Sequence, residues 1–86
     1  MRFARVLQDR IRKEVKGELE VLGSRAFYVR AIPQRKRRYK VGIWIERDVL
    51  ESLVDSEDTM DRILEIIRRL EREYAIKIQE ELKPLD

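Results

Sequence analysis

Eighty-six residues make one domain and not two, and a domain this short is marginally stable unless packing, ion pairs or oligomerisation reinforces it. Cysteine and histidine are both absent, which excludes disulfides, thiol chemistry, Cys/His zinc sites and the commonest general base. The net charge of +3 hides an asymmetry: residues 1–47 carry 14 Lys/Arg against 5 Asp/Glu, and residues 48–86 carry 6 against 12, so one half suits a polyanion, or the two halves attract one another within or between chains.

Phe3, Val6, Leu7, Ile11, Val15 and Leu19 recur at helical spacing and predict a first amphipathic helix, with Arg2, Arg5, Arg10, Arg12, Lys13 and Lys16 on its outside. Its end falls between Gly17, which can stop it, and Leu22, after which Gly23 can cap it. Two runs of β-formers follow, residues 26–32 and 39–45, the first closed by Pro33. Pairing Ala31 with Val41, Val29 with Ile43 and Phe27 with Ile45 gathers the apolar residues on one face of a hairpin. The other face then holds Tyr28, Arg30, Ile32, Lys40, Gly42 and Trp44. The connection, Gln34-Arg35-Lys36-Arg37-Arg38, lacks the Asn-Gly or Asp-Gly of a two-residue turn, so a loose, mobile tip is expected.

A short helical turn is predicted over 48–54, then a longer helix over 57–74 with Ser56 as N-cap and Glu57, Asp58 and Asp61 in its first turn. Asp58–Arg62, Glu65–Arg69 and Arg69–Glu73 are spaced for pairing along that helix. Ile76, Ile78 and Leu82 alternate with polar residues in a last strand ended by Pro84. The expected fold is a single α+β domain over 1–86, α-β-β-(short α)-α-β, a three-stranded sheet with helices packed on one face. Its predicted core is Phe3, Leu7, Ile11, Val15, Phe27, Val29, Val41, Ile43, Ile45, Ile63, Leu64, Ile67, Leu70, Ile76 and Ile78.

Asparagine is missing and glutamine occurs only as Gln8, Gln34 and Gln79; many charges with few thermolabile amides suggest a source in a hot environment. No apolar h-region follows Met1-Arg2-Phe3-Ala4-Arg5, and no run approaches the ~20 residues of a membrane span. A cytoplasmic protein without membrane contact is expected.

The functional signal is the basic tip. Arg35, Lys36, Arg37 and Arg38, with Arg25, Arg30 and Lys40, concentrate positive charge on one protrusion, and arginine forks phosphate oxygens well. Tyr28 and Trp44 on the outer face can stack on unpaired bases. Two other readings stand beside this one: a solvated charge run that keeps a hairpin edge from aggregating, and a landing site for the acidic half of another copy. Asp55, Glu57, Asp58 and Asp61 can in principle hold a divalent cation, but acids at a helix N-terminus explain them more simply. Ser24, Ser52 and Ser56 have no histidine to activate them, so neither an enzyme nor a cofactor is expected.

Leu22-Gly23-Ser24-Arg25-Ala26 resembles the Gly-Ser-Arg-Ala signature of small nucleotidyltransferases over about five residues. That family follows it with an Asp-x-Asp pair that holds its metal, where this chain has Lys40-Val41-Gly42. The element order is similar to the type II KH-like arrangement of small RNA-binding domains, whose Gly-x-x-Gly loop corresponds here to the acidic Val54-Asp55-Ser56-Glu57. Binding by such a fold would have to use another surface. The expectation is a non-enzymatic nucleic-acid-binding module, DNA or RNA, acting as a homodimer; the alternative is a self-assembling structural or protein-interaction domain.

Overall fold

The computed structural model describes residues 3–86; Arg2, placed above in the first amphipathic pattern, lies outside the described residues. The elements are α1 (Phe3–Val21), β1 (Phe27–Pro33), β2 (Arg38–Ile45), α2 (Arg47–Val54), α3 (Glu57–Tyr74) and β3 (Lys77–Pro84). This is the expected α+β order. Leu7, Ile11, Val15 and Leu19 stand one turn apart on α1 and are fully buried, while Val6 falls off that stripe and is 39% exposed. Gly17 has open space around it, so the helix passes through it. The stop comes at Gly23, at φ +95°. There the Gly23 N–H donates to the Glu20 carbonyl (2.9 Å) and the Ser24 N–H to the Leu19 carbonyl (3.1 Å), which satisfies two orphan carbonyls of the helix end.

The hairpin register is the one the apolar pattern demands: Ala31 faces Val41, Val29 faces Ile43 and Phe27 faces Ile45. β3 lies on the far side of β2 and runs parallel to it, giving the order β1-β2-β3. A parallel neighbour requires a crossover, and α2 and α3 provide it. The core fills the space between the inner sheet face and the helices. It includes Leu19, Ala31, Val49 and Leu53, outside the predicted set, whereas Phe3 and Phe27 are only partly buried and pack at its margin, and Leu64 is partly buried outside it.

On each sheet edge one outward N–H is bonded by a helix side chain. Ala31 N–H donates to the Gln8 side-chain carbonyl (3.0 Å), and Ile78 N–H donates to the Glu71 carboxylate (2.7 Å). Pro33 and Pro84 bring no N–H to these edges. The charge pairs differ from the predicted spacing along α3. Arg62 turns to Glu18 (2.8 Å), Arg69 to Glu14, and Glu73 receives Arg10 (2.8 Å). The helices α1 and α3 run antiparallel, so partners across the seam are closer to hand than partners along one helix. Ser56 also departs from expectation. Its hydroxyl hydrogen-bonds the Thr59 hydroxyl (3.1 Å), and no side-chain cap bond to the helix backbone forms.

Candidate nucleic-acid interface

The helices cover one sheet face and leave the other open. Strand alternation sends Tyr28, Arg30 and Ile32 of β1, Arg38, Lys40, Gly42 and Trp44 of β2, and Lys77, Gln79, Glu81 and Lys83 of β3 to that open face. Register aligns them in rows across the sheet: Tyr28–Trp44–Lys83, Arg30–Gly42–Glu81, Ile32–Lys40–Gln79, and Arg38–Lys77 beside the hairpin tip. An aromatic row therefore stands at one end and a cationic row at the other. The two are separated by six residues of β2, roughly 20 Å at the rise of a strand.

Gly42 shapes the aromatic end. A Cβ there would lie 2.6 Å from the Trp44 ring, so the absence of a side chain lets the indole fold over β2. Tyr28 meets Trp44 edge-on, with ring centroids 5.7 Å apart, and the Lys83 ammonium sits 5.4 Å from the indole centre. Tyr28 is 55% exposed and Ile32 43%, while Trp44 is half-buried, so ring surface is offered to solvent mainly by Tyr28.

The tip is tighter than its sequence suggests. Gln34 N–H donates to the Arg38 carbonyl (2.7 Å) and Arg38 N–H to the Arg35 carbonyl (3.2 Å), while Lys36 and Arg37 adopt φ of 52° and 60°. Both lie in the left-handed region, which glycine and asparagine enter more readily than long side chains. The expected loose loop is thus a closed turn whose two central residues hold a backbone that long side chains adopt only at a cost.

The four tip cations do not behave alike. Arg37 folds back onto the end of α3, donating from Nε to the Ala75 carbonyl (2.7 Å) and from an Nη to the Tyr74 carbonyl (2.6 Å). Its own carbonyl accepts the Lys77 N–H (2.9 Å). It therefore neutralises the negative end of that helix and joins the tip to the start of β3. Arg35, Lys36 and Arg38 point into solvent. Among the described residues no carboxylate lies within 4 Å of Arg30, Arg35, Lys36, Arg38, Lys40 or Lys77. Arg25 is exposed at the aromatic end of the sheet, just before β1.

The Gly-Ser-Arg-Ala segment has a structural role. The Glu46 carboxylate, at the start of α2, accepts the Ser24 hydroxyl (2.7 Å) and the Arg25 backbone N–H (2.9 Å). Those two donors, the Arg25 amide first, hold the Glu46 carboxyl below the ordinary carboxylate range. Ser24 is buried in that clasp. The acids Asp55, Glu57, Asp58 and Asp61 are exposed around the α3 N-terminus, and no group of three or more Asp/Glu among the described residues is placed to hold a metal ion. No described helix is long and apolar enough to cross a membrane.

Lys77, Gln79, Glu81 and Lys83 complete the open face, Glu81 and Lys83 pairing with each other at 3.5 Å. Period-2 alternation put Lys77 and Gln79 on the polar side of the last strand, but only the parallel docking of β3 beside β2 brings them next to Arg38 and Lys40. No family model matches the chain, and neither a curated protein nor a solved structure matches it.

Proposed function

We propose that the protein is a non-enzymatic, cytoplasmic module that binds nucleic acid on its open sheet face and hairpin tip. The observation that carries this reading is the grouping of unpaired cations on one surface. Arg30, Arg35, Lys36, Arg38, Lys40 and Lys77 have no carboxylate within 4 Å among the described residues, although the chain has 17 acidic residues with which to pair them. Unpaired cations clustered on one face are the footprint of a polyanion ligand. The exposed Tyr28 beside the half-buried Trp44 in the same face supports a strand with unpaired bases, because every base has a π-face to stack. The left-handed Lys36 points the same way: a solvent-facing cation stands where Asn or Gly would cost less.

Trp44 is the sole tryptophan, so its fluorescence reports on this face directly. Adding a single-stranded oligonucleotide at low salt should quench it, and raising the salt should restore it. Absence of both quenching and a gel shift at low salt would remove the proposal.

Homodimerisation is the second reading, favoured by the apolar Tyr28, Ile32 and Trp44 on an open face. Packing that face on a second copy would desolvate Arg30 and Lys40 at a cost. A dimer is therefore better built elsewhere, leaving the face to its ligand. Light scattering on the wild type and on a variant lacking the solvent-facing tip cations tests this: mass should be equal in the two.

A further inference from the structure

We propose that the cleft where the hairpin tip meets the start of β3 is a phosphate-binding subsite, with Arg38 and Lys77 as its cations and Gln34 and Gln79 as its neutral donors. The cleft encloses about 490 Å³, with Arg68 and Glu71 in its wall. A second hollow of about 340 Å³ adjoins it on the tip side, and Gln34 and Arg38 line both. The inference deepens the nucleic-acid reading and rests on it for the source of the phosphate.

The primary observation is a cross-strand conflict. Arg38 and Lys77 are direct partners in the β2–β3 ladder and project from the same face. Like charges directly opposite one another destabilise a sheet, and neither cation has a carboxylate within 4 Å among the described residues. The nearby acids are engaged. Glu71 accepts the Ile78 N–H (2.7 Å) and lies 3.4 Å from Arg68, and Glu80 pairs with Arg68. The carbonyls that end α3, which would repel an anion, are covered by Arg37. An oxyanion between Arg38 and Lys77 would turn their repulsion into two charge-assisted contacts, and the flanking glutamine amides can donate to its remaining oxygens.

Inorganic phosphate titrated into ¹⁵N-labelled protein, at ionic strength held constant with sodium chloride, is the direct test. Saturable shifts should centre on Gln34, Arg38, Lys77 and Gln79, and should vanish in Arg38→Gln/Lys77→Gln. Shifts absent, or spread evenly over all surface cations, would overturn the subsite. Lys77→Gln alone should raise the melting temperature by relieving the repulsion, and a fall would count against the conflict argued above. Arg38→Lys/Lys77→Arg, which keeps both charges, should retain phosphate binding. Oligonucleotides with and without a terminal phosphate separate the two sources. If the double glutamine variant loses roughly tenfold in affinity only for the phosphorylated strand, the cleft takes a chain end; an equal loss for both means a backbone phosphodiester. Unchanged affinity for both, with Trp44 still quenched, sinks the subsite and spares the nucleic-acid reading. Saturable phosphate binding with no oligonucleotide binding does the reverse.

Discussion

The seam between α1 and α3 and the open sheet face are both rich in charge, yet they treat it in opposite ways. Across the seam, Arg10 meets Glu73 and Glu14, Arg69 meets Glu14, and Arg62 meets Glu18. Arg10 also donates to the Tyr74 hydroxyl at 2.7 Å. On the sheet face and tip, six cations face solvent and one another without a carboxylate within 4 Å among the described residues. The arginines of the seam fix how two helices sit; the arginines and lysines of the sheet create a field. Pairing, which depends on what the fold brings opposite, separates a structural cation from one available to a ligand. Arg37 shows this within a single turn, since it caps α3 while its neighbours do not.

The largest effect should come from the apolar layer beneath the seam. Ile67 is fully buried, and Ile67→Ala should cost about 2–5 kcal/mol, read by urea unfolding. That is a large part of the stability of so small a domain. A cost below about 1 kcal/mol would mean the helices are not held by this core.

Next in size is the separation of binding from stability at the tip. About five phosphate contacts give a log–log salt slope near −3.5 on single strands and −4.5 on duplex. Replacing Arg35, Lys36 and Arg38 with serine should flatten the single-strand slope by about 2 without lowering the unfolding midpoint, loss of Arg38 relieving its repulsion with Lys77. Arg37→Ala should do the opposite, lowering stability by about 1 kcal/mol through loss of the α3 cap with little change in slope. If Arg37→Ala flattens the slope as much as its neighbours do, the distinction drawn between them is wrong.

Acid should attack the seam before the sheet face. Hydrogen bonds from Arg10 hold both the Glu14 and Glu73 carboxyls below the ordinary value of 4.5, Arg69 assisting at Glu14, and Glu46 is lowered by the Arg25 amide and Ser24. A carboxyl depressed in the folded state favours folding above the unfolded value, so that contribution is lost as pH falls from about 4.5 through the folded values. Melting temperatures should fall in that window. With no histidine in the chain, binding should be flat between pH 6 and 8, where only histidine would ordinarily titrate. A histidine-like inflection in that range would point to a titrating group on the ligand.

The smallest effects test the strained positions. Ala75 ends α3 at φ 55°, and Ala75→Gly should stabilise by up to about 1 kcal/mol in thermal melts. Lys36→Asn should stabilise the turn by a similar or smaller amount while weakening oligonucleotide binding. A gain in both would remove the argument that strain at the tip is kept for function.

Local patterns in the chain determined much of this molecule. The four-residue recurrence of Leu7, Ile11, Val15 and Leu19 determined the buried stripe of α1, because each turn of a helix returns to the same face. The alternation in β1 and β2 determined their register, because a slip of one residue would have turned the whole apolar set to solvent. It also marked Arg30, Lys40, Tyr28 and Trp44 as residents of one surface. Tertiary structure alone decided where β3 docks, and with it the entry of Lys77, Gln79 and Lys83 into that surface, since a strand's own alternation says nothing about its neighbour. It decided that Arg62 and Arg69 pair across to α1 rather than along α3, because a side chain goes to whichever carboxylate the packing brings nearest. It also set Arg37 apart from Arg35, Lys36 and Arg38: the four read alike in sequence, and only the approach of the α3 C-terminus to the tip gives one of them carbonyls to bind.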